Sequence, residues 1–154
     1  MQPCIENVYL AEHCDLLIAS YRHWTGRELI DAEGAGEDRA KALFEAPFAL
    51  VSHGTEEEPI FNYGNRTALE LFEVDWDGLV RMPSRESAEP VEREERERLF
   101  EVVNRQGFTD EYAGIRITAS GRRFHIGQAT VWTVMDDAGT RRGHAAVFSS
   151  WKYL

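Results

Sequence analysis

Residues 60–72 read Ile60-Phe61-Asn62-Tyr63-Gly64-Asn65-Arg66-Thr67-Ala68-Leu69-Glu70-Leu71-Phe72. The β-branched and aromatic residues Ile60, Phe61 and Tyr63 suit an extended strand. After Gly64 the period changes. Ala68, Leu69, Leu71 and Phe72 make the apolar side of a short helix, and Asn65 stands where an N-cap would accept a free N–H of the first turn. Such a cap contributes about 0.5 to 2 kcal/mol relative to alanine. A strand that passes through one Asn into a short helix fixes a point from which the rest of the chain can be read.

Upstream, Phe48-Ala49-Leu50-Val51-Ser52-His53 is strand-like, and the turn-rich Gly54-Thr55-Glu56-Glu57-Glu58 pairs it with 59–63 as a hairpin. Downstream, Trp76 to Val80 suggests one helical turn, Pro83 to Pro90 is a polar loop, and Pro90 suits the first turn of a long helix that ends at Gly107. Glu92 and Arg96, and Glu94 and Arg98, stand four residues apart on that helix, each pair contributing about 0.2 to 0.5 kcal/mol. Leu99, Phe100, Val102 and Val103 supply its buried side. Three strand-like segments follow, 108–119, 122–135 and 142–151, separated by Ser120-Gly121 and by Asp136-Asp137-Ala138-Gly139. The fold class is therefore α+β, with a five-stranded antiparallel sheet and flanking helices.

Residues 1–38 add an extra N-terminal helix and a linker, joined to the sheet-bearing residues 39–154 as one structural unit. Ala11, Cys14, Leu17, Ile18, Tyr21 and Trp24 recur at helical spacing from Asn7 onward, and the acidic, glycine-containing tract 31–38 reads as the linker. A short helix, 39–45, stops before Pro47.

The chain has 154 residues, 43% hydrophobic and 29% charged, enough for one core. Lys and Arg total 17 against 27 Asp and Glu, a net charge of −10 that opposes nucleic acid and anionic lipid as partners. Apolar stretches fall far short of the ~20 residues of a membrane span, and no signal-peptide pattern opens the chain, so a cytoplasmic location is expected. Cys4 and Cys14 lack C-x-x-C spacing and read as reduced thiols.

Strand, strand, small helices, long helix and three strands is the element order of the PAS-like fold, and 60–72 resembles the common PAS pattern. More specifically, Tyr21 to Leu29, Ala46-Pro47-Phe48, Val51 to Thr55, Pro83 to Pro90 and Ala129-Thr130-Val131-Trp132 resemble the MEKHLA domain family over nearly the whole chain. MEKHLA domains are found as stand-alone bacterial proteins and at the C-terminus of plant class III homeodomain-leucine zipper transcription factors. This chain resembles the stand-alone bacterial kind. The resemblance implies a sensory or regulatory module that binds a small organic ligand or a protein partner, with a homodimer formed through the N-terminal helix and the outer sheet face.

A PAS-like pocket lies between the sheet and the helices. Asn62, Ser84, Arg85, Gln128, Thr130 and Trp132 are the candidate ligand-binding residues, with Arg85 suited to an anionic group. No catalytic or metal residue is assigned. The cofactor is left open. LOV-type flavin chemistry is disfavoured because 75–90 holds no Cys, and common PAS-type haem because 89–107 holds no His or Cys. His125 and His144 are expected on neighbouring strands, and His53 as a turn residue bonded locally. Two alternatives remain: a small cone-shaped α+β enzyme using His53, His125 or His144 as general base, and a ligand-free interaction protein. Trp132 and Trp151 are the candidates for an exposed apolar sheet face.

Overall fold

A computed structural model describes every residue except Ala32 and Ala35, and residues 90–92 by their backbone alone. After a 3-10 turn (Ile5–Leu10) come helices α1 (Ala11–Thr25) and α2 (Gly36–Phe44), then strands β1 (Ala49–His53) and β2 (Phe61–Gly64). Helices α3 (Arg66–Phe72) and α4 (Trp76–Leu79), a second 3-10 turn (Ser84–Ser87) and the long α5 (Pro90–Gln106) follow. Strands β3 (Phe108–Ile117), β4 (Arg123–Met135), β5 (Arg141–Phe148) and β6 (Trp151–Tyr153) complete the chain.

Asn65 organises the junction between the hairpin and the helices. Its Oδ1 accepts from the Ala68 N–H at 3.1 Å, the expected cap, and also from the Leu50 N–H at 3.1 Å. Its Nδ2 donates to the carbonyls of Leu43 and Phe48 at 3.2 and 2.8 Å. One fully buried side chain thus ties α2, β1 and α3 together. Leu43, Phe44, Leu50, Ala68, Leu71 and Phe72, all buried, belong to the hydrophobic core that this junction joins.

The sheet is antiparallel in the order β2-β1-β5-β4-β3. The expected last strand, 142–151, is interrupted at Ser149-Ser150. Its continuation becomes the short β6, which pairs Trp151 with Ile126 and Tyr153 with Phe124 on the first half of β4. β4 is long enough to serve both, because β5 occupies only Thr130 to Met135.

Both faces of the sheet are covered. Helix α5 and the Ser84–Ser87 turn lie on one, and α1 lies on the other. Trp132 is fully buried with its ring 5.0 Å from that of Tyr21, and the Trp24 indole N–H donates to the Thr133 carbonyl at 2.8 Å. The expectation that Trp132 helps form an exposed apolar face is therefore corrected: the chain's own α1 covers it, and Trp151 is half-buried. The expected helix start at Asn7 also moves. Val8, Tyr9 and Leu10 are left-handed, at φ of 48°, 55° and 55°, so regular helix begins at Ala11. The tract expected as linker is shorter, since α2 already starts at Gly36; Ala32 and Ala35 lie outside the described residues. On α5 the Glu94 and Arg98 pair closes at 3.1 Å, while the side chain of Glu92 lies outside the described residues.

Candidate functional site

Strand alternation aims Val51, Val131 and Ala146 at α5, and they line a cavity of about 70 Å³. Phe61, Phe72, Ile126 and Phe148 extend its apolar wall. Ser84, Arg96, Arg116, His53 and His144 supply its polar part. Ile126 and Ala129 both line the cavity although they stand three apart, which places a face-switching irregularity of β4 between them.

The register of β1 and β5 sets His53 opposite His144. Nε2 of His53 lies 2.9 Å from Nδ1 of His144, and Nδ1 of His53 lies 2.8 Å from the Ser84 hydroxyl. At the far end, His144 Nε2 is 2.6 Å from Asn104 Oδ1 on α5. At the near end, Arg96, also on α5, donates Nη2–H to the Ser84 hydroxyl.

Elementary donor counting fixes the direction of every proton in this chain. The amide oxygen of Asn104 only accepts, so with both imidazoles neutral each step back along the chain is set. Ser84, which accepts from Arg96 and has its own proton left over, donates that proton to Nδ1 of His53. His53 therefore carries its hydrogen on Nε2 and donates to His144. His144 carries its hydrogen on Nε2 and donates to the amide oxygen of Asn104, which only accepts. The relay runs Arg96, Ser84, His53, His144, Asn104, and both imidazoles are neutral.

The electrostatics agree. Burial holds both histidines well below 6.5, and the positive charge of Arg96 and Arg141 lowers them further. Arg96 itself is pushed down to about 10, first by burial and then by the neighbouring Arg116, so it stays charged at pH 7. Its guanidinium stacks on Phe100 at 4.7 Å, and the Phe100 ring also meets both imidazoles, at 5.1 and 4.7 Å. Arg116 lies over Tyr112 at 5.0 Å.

Of the residues expected to bind a ligand, Ser84 lines this cavity. Asn62 is exposed on β2, where its Oδ1 accepts from the Ser52 hydroxyl at 2.5 Å. Arg85 points to solvent and pairs with Glu58 at 2.5 Å. Gln128 and Thr130 both bond Asp110, through its carbonyl at 3.1 Å and its carboxylate at 2.8 Å, and Trp132 lies under α1 on the opposite face. The partner of His144 is His53 rather than His125, which is exposed and registers with Lys152. His53 was expected as a local turn residue. It is instead 5% exposed and bonded to residues 31 and 91 positions away.

Arg96 was legible only as a member of a charged run, yet Arg96, Leu99, Phe100 and Val103 follow the i, i+3, i+4, i+7 spacing of one helix face. That spacing was the signal that could have placed it inside. Among the described residues no group of three or more His, Cys, Asp or Glu side chains is arranged to hold a metal ion. No helix among them is long and apolar enough to cross a membrane.

The solved structures it is similar to share this architecture. A PAS domain from Colwellia psychrerythraea superposes with a TM-score of 0.61 at 16% identity, covering 75% of this chain and 93% of that one. The PAS domain of a LuxR-family transcriptional regulator from Burkholderia thailandensis, solved in complex with ethanol, superposes with a TM-score of 0.57 at 19% identity, covering 76% and 97%. In sequence the chain is similar to the homeobox-leucine zipper protein ATHB-9 of Arabidopsis thaliana, 27% identical over 140 residues. That match takes in 88% of this chain but only 17% of ATHB-9. The MEKHLA domain matches residues 11–153, and with the PAS-like fold described above this chain belongs to the MEKHLA domain family.

Proposed function

We propose that this chain is a sensory or regulatory module that holds a small organic ligand between its sheet and α5. One observation carries the reading: an apolar cavity of about 70 Å³ into which a directed polar relay converges. Cavity and relay share α5, because Arg96 and Asn104 both belong to it. A ligand that draws Arg96 away from Ser84 would loosen one of the polar ties between α5 and the sheet-bearing part of the fold. Such a ligand shifts the position of α5 only by its differential affinity for the two arrangements. The similar Burkholderia PAS domain was solved in complex with ethanol, a molecule of about this size, which is consistent with this reading.

A general-base reading is less well supported. Both imidazoles are held neutral with low basicity, and the relay ends on an amide, not on a carboxylate that would stabilise an imidazolium. The module is proposed to work in the cytoplasm, which its two unpaired cysteines suit, and as a homodimer. Met1, Ile5 and Val8 are exposed apolar side chains ahead of α1 and offer a surface for the second copy.

Native mass spectrometry of the full chain tests ligand and oligomer together. A dimer carrying a reproducible added mass is expected, and the cavity-filling Ala146→Leu should lose that mass. If no small molecule is retained and none from a mixed fragment panel moves the amide resonances of Phe100, Ala129 or Ala146, the ligand reading is overturned.

A further inference from the structure

The direction of the relay decides what the cavity can still recognise. Every acceptor nitrogen of the two histidines is already engaged, His53 Nδ1 by Ser84 and His144 Nδ1 by His53. The Asn104 oxygen is engaged by His144, and the Ser84 proton is committed to His53. Arg96, by contrast, is a charged group with five N–H donors, of which the Ser84 contact uses one Nη2–H. It is 9% exposed, and among the described side chains no carboxylate forms an ion pair with it. The described cavity lining contains two arginines and no Asp or Glu. Arg96 thus brings a donor-rich positive charge to the cavity wall of a protein of net charge −10.

Resting on the ligand-sensing reading above, we propose that the cavity binds a short-chain monocarboxylate, its carboxylate on the Arg96 guanidinium and its alkyl end against Phe61, Phe72, Ile126 and Phe148. A carboxylate only accepts, which suits the N–H donors of Arg96 that Ser84 leaves over, and its planar pair of oxygens matches the guanidinium fork. The aliphatic end suits the apolar wall, which a fully polar oxyanion such as phosphate would leave unmatched. A cavity of about 70 Å³ suits acids of the size of acetate, propionate or butyrate better than drug-sized ligands, whose pockets run to roughly 300 to 1,000 Å³.

Amide NMR titrations of the full chain at constant ionic strength test this with sodium propionate, propionamide, 1-propanol and sodium phosphate. Propionate is expected to bind at least tenfold tighter than the two neutral analogues and than phosphate, with shifts centred on Phe100, Ala129 and Ala146. Arg96→Gln should abolish that preference, Arg96→Lys should keep part of it, and Arg85→Gln should leave it intact. The wild-type selectivity series decides the matter even if Arg96→Gln does not fold. Equal binding of propionate and propionamide overturns the carboxylate assignment while leaving a ligand cavity in place. Tighter binding of phosphate also overturns it. Failure of all four probes to bind overturns the assignment, and the fragment panel then decides separately whether the cavity takes any ligand.

Discussion

His53 Nε2 donates to His144 Nδ1 across 2.9 Å, from one register position of β1 to its partner on β5. Two neutral imidazoles can share a hydrogen bond only if one offers a lone pair, and here the choice is forced from outside the pair. The acceptor-only oxygen of Asn104 sets it at one end, and the Ser84 hydroxyl, which accepts from Arg96, completes it at the other. Helix α5 thereby holds both ends of a polar chain that crosses the face of the sheet.

Converting the acceptor end into a charge should reverse the state of the pair. Asn104→Asp places a carboxylate at the position 2.6 Å from His144 Nε2, where an imidazolium would be stabilised. The His144 pKa should rise from its depressed value to or above 6.5, read from the Cε1–H resonance in an NMR titration. An unmoved titration would contradict the assigned direction of the relay.

Stability should depend on pH through three buried histidines. His13, on the opposite face of the sheet and hydrogen-bonded to Ser52 at 3.0 Å, is lowered to about 4 by burial, and His53 and His144 are lowered as well. Each has a folded pKa below its unfolded value of 6.5, so the unfolded chain binds more protons between the two. Stability is fully present above pH 6.5 and is lost as pH falls from there toward about 4, by up to about 1.4 kcal/mol per pH unit for each histidine. Urea midpoints measured from pH 7.5 to 4.5 should fall along this slope, and His13→Gln should make it shallower. A midpoint independent of pH over that range would sink the account.

Asn65 was readable from sequence as a cap, but its other three bonds were not. Removing it leaves the Leu50 N–H and the Leu43 and Phe48 carbonyls without that partner as well as the Ala68 N–H. With each buried unsatisfied group costing about 1 to 3 kcal/mol, Asn65→Ala should lose more than the roughly 2 kcal/mol ceiling of a simple cap. Asn65→Asp should be at least as damaging, because a carboxylate would face two carbonyl oxygens. Denaturant unfolding measures both, and a loss near 1 kcal/mol would reduce Asn65 to a cap.

The contrast between what was and was not legible follows from sequence distance. Local signals carried most of the fold: the Asn65 cap, the long α5 ending at Gly107 and the strands β3 and β4 stand where periodicity put them, while the expected last strand splits into β5 and β6. The site depends on pairings that local patterns cannot show. His53 meets His144 because β1 registers with β5, and only that register makes the pair. On β4 the irregularity between Ile126 and Ala129 exchanges the faces, so Gln128 and Thr130 turn away from the cavity to Asp110. Arg96 was masked by its charged neighbours, although its spacing to Phe100 and Val103 belongs to the buried side.

Trp132 offers a test of the α1 face. Its indole nitrogen is buried without a hydrogen-bond partner among the described residues. Trp132→Phe removes that orphaned donor along with part of the ring, so the two effects offset and the change should cost under about 1.5 kcal/mol. Trp132→Ala, which opens a cavity against Tyr21, should cost about 3 to 5 kcal/mol. Equal losses for the two variants would show that the indole N–H is satisfied in solution.

Gly143 and Gly139 both have positive φ, at 143° and 79°, but only one sits against the relay. A Cβ at Gly139 meets nothing within 4 Å, so Gly139→Ala should cost only the left-handed backbone penalty of about 1 to 2 kcal/mol. A Cβ at Gly143 would fall 1.9 Å from the His53 carbonyl oxygen, a backbone atom that no rotamer change can move. β5 must then draw away from β1 next to the His53 and His144 pair. Gly143→Ala should therefore cost clearly more than Gly139→Ala, and in whatever folded protein remains both histidines should titrate closer to 6.5 as their burial loosens. If Gly143→Ala matched Gly139→Ala in unfolding free energy and left the histidine titrations unchanged, the close approach of β5 to the His53 carbonyl would not be what holds the pair together.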